Sequence, residues 1–159
     1  MAGSYDKLVH AVMIAWAQVK PQQAFASGFN LEYFMAGGHD DRLGMNNKYF
    51  IYYCYATGGL GAMYGHDGRS ACAPVFGLGV TNQSIEQKEC MWPVSVMKFA
   101  QKTDSMGAGQ WRGGTGIDTG FRIENGDGVL ASYCGDRGKF GPGAGPRAFS
   151  AAHGASTRA

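Results

Sequence analysis

Two groups of residues in this chain have types and spacing suited to chemistry. The first is the run Asp104-Ser105-Met106-Gly107-Ala108-Gly109-Gln110-Trp111-Arg112-Gly113-Gly114-Thr115-Gly116. Its glycines strip side chains from one stretch of backbone, so that it can approach another backbone or a ligand and point several N–H groups at one anion. Gly107, Gly109, Gly113 and Gly114 are therefore candidate anion-binding positions, with Ser105 as a hydroxyl partner. Arg112, the only cation in the run, has the fork geometry to grip a carboxylate or phosphate. Asp104 can bond back onto the loop or onto a substrate, and Trp111 can anchor the loop to an apolar surface. The competing reading is that the glycines only let strands pack. The run is neither a P-loop nor a dinucleotide fingerprint: no Gly-Lys-Ser/Thr follows, and no βαβ unit surrounds it.

The second group is Glu86 and Glu89, on one side of a helical turn. Paired carboxylates suit metal binding, acid–base work or the gripping of an arginine, for which Arg112 is a candidate within the chain. Other chemically able residues have a plainer reading. His39, Asp40 and Asp41 follow Gly37-Gly38 and read as a solvated turn. His66 beside Asp67 has the makings of an oriented base, but Gly65 and Gly68 on either side point to a surface turn. Cys54, Cys72, Cys90 and Cys134 are scattered with no C-x-x-C, which favours free thiols in a reducing compartment over a zinc site of three cysteines and a histidine.

The elements that must position these residues can be read from pattern. Ser4 and Asp6 suit the start of a helix that Pro21 ends, with Leu8, Val12, Ala15, Trp16 and Val19 on one face. That apolar stripe is too broad for a solvated helix and predicts packing on both sides, with His10 in the core or an interface. Residues 24–36 read as one or two strands broken at Gly28. Residues 48–56 alternate with both faces apolar, which predicts a central strand leading into Gly58-Gly59-Leu60-Gly61-Ala62. Further strands are expected at 71–80 and 93–99, and Ser84 should cap the turn carrying Glu86. Residues 117–123 and 129–133 predict a hairpin around Asn125-Gly126-Asp127-Gly128. The fold class is α+β: an N-terminal helix followed by mostly antiparallel strands with glycine-rich loops. Residues 1–140 form a partial domain, and residues 141–159 read as a tail, flexible or lying on a partner.

Bulk composition narrows the partners. Only 16% of the 159 residues are charged, while 13% are aromatic and 26 are glycine. Such a chain has much surface that is poorly solvated, as a large permanent interface would be. The net charge of +2 comes without a Lys/Arg cluster, which argues against nucleic acid. No apolar run reaches membrane-spanning length, and residues 8–19 lack the flanks of an export signal, so a cytoplasmic location is expected.

Three blocks, in order, resemble the hydantoinase B/oxoprolinase family. The run from Asp104 resembles its Asp-Ser-x-Gly-x-Gly-x-x-Arg-Gly-Gly-x-Gly signature, with Met106 and Ala108 replacing the usual Gly and Pro. Gly58-Gly59-Leu60-Gly61-Ala62 with Asp67-Gly68 resembles Gly-Gly-x-Gly-Ala…Asp-Gly. Ile85-Glu86-Gln87-Lys88-Glu89 with Pro93 resembles Pro-Ile-Glu-x-x-Glu-x-x-x-Pro, with Ser84 for the first Pro. The resemblance spans residues 5–140 and corresponds to the later region of a much longer polypeptide. The family's earlier metal-ligand region is not among the matched blocks.

The resemblance implies a subunit of an ATP-dependent carboxylase or amide hydrolase, inactive alone. Its partners would be larger hydantoinase A-like ATP-binding and hydantoinase B-like subunits. The favoured expectation is the acetophenone carboxylase type, in which an enol phosphate of an aromatic ketone is carboxylated with hydrogencarbonate. A subunit of an amide hydrolase, or a non-catalytic structural subunit, is the alternative. ATP and a divalent metal would be bound by partner subunits and not by this chain. Asp104, Arg112, Glu86 and Glu89 would then be the catalytic candidates.

Overall fold

The computed structural model describes residues 2–77, 80–136, 139 and 156–158. Helix α1 (Ala2–Ala17) leads through a 3-10 turn at Pro21–Gln23 to strands β1 (Glu32–Asp40) and β2 (Lys48–Tyr55). A long glycine-rich connection with a 3-10 turn at Val75–Gly77 follows, then α2 (Ile85–Met91), β3 (Val94–Gln101), β4 (Ile117–Ile123), β5 (Gly126–Gly135) and β6 (Ser156–Arg158). The fold is α+β, as expected. One sheet has the order β2-β1-β5 and the other β3-β4-β6. All pairings are antiparallel except β4 with β6.

The core lies between the two sheets. Phe34 and Ala36 of β1 and Phe50, Tyr52 and Cys54 of β2 face Val94 of β3 and Phe121 of β4. The Phe34 and Phe121 rings stack at 5.6 Å, and Tyr52 sits edge-on to Trp92 at 5.3 Å. Large rings in offset and edge contact add to the burial that holds two small sheets together. The Tyr52 hydroxyl is buried with no hydrogen-bond partner among the described residues, and burial, with Cys54 beside it, pushes its pKa up and keeps it un-ionised. A buried hydroxyl left without a partner costs about 1–3 kcal/mol. Tyr52→Phe should therefore leave the thermal midpoint unchanged or raise it; a fall of several degrees would show that the hydroxyl is bonded.

Several expectations from sequence are corrected. Strand β2 is an edge, not a central strand, because β1 takes the middle position between β2 and β5. Both faces of β2 are apolar, yet only one meets the other sheet. The segment 24–36 is strand only from Glu32, with an isolated bridge at Phe25, and β1 runs on through Gly37, Gly38, His39 and Asp40, whose residue types read as a turn. Gly38 suits this strand because a Cβ there would stand 2.9 Å from the carbonyl oxygen of Asp127. The β1–β5 register shifts at this point. Residues 71–80 do not form a strand; the chain makes a single bridge at Cys72 and then the 3-10 turn, and residues 78–79 lie outside those described. Finally, β4 and β5 are not a hairpin. Asn125, at φ 51°, turns the chain out of one sheet and into the other. The turn residues do turn the chain, but strand partners are chosen by which apolar faces meet.

The helix ends also differ. Ser4 lies inside α1 and not at its cap, and the helix stops at Ala17, ahead of Pro21. The expected cap of α2 is present, with the Ser84 hydroxyl accepting the Gln87 N–H at 3.3 Å. Of the expected tail, residues 141–155 and 159 lie outside the described residues, while Ser156–Arg158 pair with β4.

Candidate functional site

Residues 102–116 leave β3 and return to β4 as a closed loop. The Lys102 N–H donates to the Gly116 carbonyl at 2.9 Å. Ser105 staples the neck: its buried hydroxyl donates to the Lys102 carbonyl at 2.7 Å and accepts the Gly116 N–H at 2.9 Å. Higher up, the Gly113 N–H donates to the Gly107 carbonyl at 3.0 Å. Ser105 thus shapes the loop, and the Gly113 N–H points inward.

The second half of the loop is laced to the earlier glycine block. The Arg112 N–H donates to Oδ1 of Asp67 at 2.7 Å, and the Gly68 N–H donates to the Arg112 carbonyl at 2.7 Å. Gly114 N–H donates to the Leu60 carbonyl at 2.9 Å, and Thr115 N–H to the Ser70 hydroxyl at 2.9 Å. Residues 58–62 in turn bond to residues 26–29, through Ala26 N–H to the Ala62 carbonyl and Phe29 N–H to the Gly59 carbonyl. The result is a stack of backbones with no room for side chains at the crossings. A Cβ on Gly61 would fall 1.9 Å from the Ala26 carbonyl oxygen, one on Gly68 2.1 Å from that of Leu60, and one on Gly114 2.0 Å from that of Arg69. Ala26 and Ala62 form a small buried cluster that Trp111 covers, and the Tyr64 ring lies 4.8 Å from Trp111.

What remains on the solvent side is an open cavity of about 480 Å³. Asp104, Met106, Gly107, Ala108, Gly109 and Arg112 line it. Asp104 holds a left-handed backbone at φ 53°. The Arg112 side chain is exposed and pairs with no carboxylate among the described residues. Its backbone is clamped on both sides by Asp67 and Gly68, so the guanidinium projects from a fixed base. The structure therefore divides the predicted anion-binding set. Gly107, Gly109 and Arg112 reach the cavity, whereas the Gly113 and Gly114 N–H groups are spent on carbonyls.

Glu86 and Glu89 are elsewhere. Glu86 is exposed in the first turn of α2, where its own backbone N–H and then the Ser84 hydroxyl hold its carboxyl below the usual range. Oε1 of Glu89 accepts the Val96 N–H at 2.9 Å and ties α2 to β3. Neither pairs with Arg112. Asp67 does not serve as the partner of His66 for base chemistry; its carboxylate holds the loop instead. Sequence reading missed this role of Asp67, although its place in the Asp-Gly step beside a glycine block is the signal that marks it. It also missed Arg42, which binds Asp40 and the end of α2. Among the described residues no group of three His, Cys, Asp or Glu converges. The four cysteines are free thiols.

The hydantoinase B/oxoprolinase pattern matches residues 3–155. The chain belongs to that family. The beta subunit of caprolactamase from Pseudomonas jessenii is 34% identical over 114 residues, covering 70% of this chain and 19% of the relative. The B-type subunit of a putative D-/L-hydantoinase from Pseudomonas sp. (strain NS671) is 30% identical over 113 residues, covering 71% and 18%. A 5-oxoprolinase from Pestalotiopsis fici is 32% identical over 112 residues, covering 70% and 8%. The nucleotide-free structure of acetone carboxylase shares the fold, with a TM-score of 0.62 at 19% identity over 80% of this chain and 17% of that one. The chain thus spans less than a fifth of the length of these relatives. It is a hydantoinase B-like chain, and the glycine blocks that resemble the family's motifs lie laced together.

Proposed function

We propose that this chain works within a larger ATP-dependent hydantoinase B-type assembly, where Arg112 receives the anionic group of an activated carbonyl substrate. The observation that carries this reading is the cavity, which presents one exposed guanidinium on a backbone fixed by Asp67 and Gly68. Such a group can bind a carboxylate or phosphate in bidentate fashion. ATP and a divalent metal would be held by larger hydantoinase A-like and B-like partners. A cytoplasmic setting suits the four free thiols. The relatives' names point to ring amides: caprolactam, hydantoin and 5-oxoproline. Opening of a ring amide is therefore the favoured chemistry. Carboxylation of an aromatic ketone through an enol phosphate, the expectation from the sequence blocks, is the other arm of the same assay.

The assay measures phosphate release from ATP by the assembled complex, with a ring amide or with an aromatic ketone plus hydrogencarbonate. Arg112→Ala should lower substrate-dependent turnover by about 10- to 100-fold, the weight of a charge-assisted pair, while the complex stays intact on size exclusion. Arg112→Lys should recover part of the loss. Unchanged turnover, or loss of the complex with a folded chain, would replace this reading with that of a non-catalytic structural subunit.

A further inference from the structure

Helix α1 has apolar residues on two sides: Val9, Met13 and Ile14 are half-buried against the domain, and a second apolar stripe faces solvent. Its inner side carries Asp6 and His10, 0% and 2% exposed, and the small Ala17. The Gly28 N–H points at Nε2 of His10 at a long 3.5 Å, and the Asn30 amide donates to the Gly3 carbonyl at 3.3 Å. Its outer side carries Tyr5, Leu8, Val12 and Trp16, exposed by 53, 64, 52 and 46%. These four are spaced three, four and four residues apart, so they form one stripe along the helix. A surface helix ordinarily turns its apolar stripe inward and its charges to water. Here Asp6, His10 and the half-buried Val9, Met13 and Ile14 face the domain, and the second apolar stripe is left facing out.

We infer that this stripe is the docking edge of the chain and that its occupant is an apolar groove on a larger hydantoinase B-type polypeptide. The inference rests on the proposed function, which places the chain in such an assembly. Two observations choose the occupant. The relatives are more than five times longer than the segment they share with this chain, so most of the body on which the family's fold rests lies outside it. A second copy of this chain is the weaker occupant: four side chains of one helix, each already about half covered, fall well short of the roughly 800 Å² per partner that a stable dimer needs. A groove that wraps the helix from both flanks buries far more. Anchors at this spacing are how an amphipathic helix lies in such a groove.

The test uses the native assembly with a photo-crosslinking residue at position 12 and, as a control, at position 46, an exposed loop site away from α1. Crosslinks from position 12, but not 46, to peptides of a hydantoinase B-type polypeptide are the expected result. Leu8→Asp and Trp16→Glu, both on the exposed side, should leave the helical circular-dichroism signal intact and cut co-purification with that polypeptide at least tenfold. Crosslinks from position 12 to a second copy of this chain or to an unrelated protein would overturn the inference. If the B-type polypeptide is captured only through position 46, the stripe is not the docking edge, although the proposed function stands. If no B-type polypeptide is captured at either position, both readings fall.

Discussion

Gly61→Ala or Gly114→Ala should strongly destabilise the glycine-laced half of the molecule. The added methyl would stand 1.9 Å from the Ala26 carbonyl oxygen in one case and 2.0 Å from that of Arg69 in the other. Neither obstacle is a flexible side chain; both are backbone held in hydrogen-bonded layers. Relief requires separating the 26–29 segment from 58–62, or the 66–72 segment from 112–116, and breaking the bonds that close them. Overpacking ordinarily costs about 1–3 kcal/mol, and a rigid backbone obstacle puts this case at the upper end or beyond, about 3–5 kcal/mol. Domains have only about 5–15 kcal/mol in hand. The measurement is denaturant unfolding beside Gly44→Ala. Nothing lies within 4 Å of a Cβ at Gly44, so its cost is confined to the positive φ of 89°. A Gly61→Ala variant no less stable than Gly44→Ala would show that the layers can part cheaply.

Asp40→Asn should be the second most damaging change and should carry a pH signature. Nε of Arg42 donates to Oδ1 and Oδ2 of Asp40 at 2.9 and 3.1 Å, and Nη2 donates to Oδ2 at 2.7 Å. Nη1 reaches across to the Glu89 carbonyl at 2.8 Å, so the same guanidinium caps the last turn of α2. Asp40 is nearly enclosed and Arg42 is about a fifth exposed. Removing one charge from such a pair strands the other, at a cost of about 2–3 kcal/mol, somewhat below the fully buried case. The hydrogen bonds from the Arg42 side chain hold the Asp40 carboxyl below its ordinary value of 3.8, and burial opposes them only in part. The folded value lies below the unfolded one. The pair's contribution is therefore full above the ordinary value and fades as pH falls through the depressed one. The gap in stability between the native chain and Asp40→Asn should be constant near neutrality and narrow in acid. A gap that does not change with pH would mean that the pair contributes through shape alone.

These two predictions concern features of very different legibility. The glycine blocks are visible as motifs, but not as partners: nothing in the spacing of Gly61 and Gly114 says that they cross Ala26 and Arg69. Arg42 is not visible at all, because its carboxylate is two residues away while the helix end it caps is 47 residues away. A hydrogen bond from a side chain to a backbone carbonyl 47 residues away leaves no local pattern.

From the sequence alone came the family blocks, the α+β class, the cap at Ser84, the burial of His10 and the anchoring role of Trp111. Each follows from short-range chemistry: a hydroxyl three residues before an N–H, a histidine among apolar neighbours, a ring inside a glycine run. The tertiary structure alone decided that β2 is an edge, that β4 and β5 part into different sheets, that Gly113 and Gly114 face inward, and that the apolar stripe of α1 faces out. The physical reason is common to all four. Periodicity tells which residues share a face, but which face is covered, and by what, depends on contacts between segments far apart in the chain.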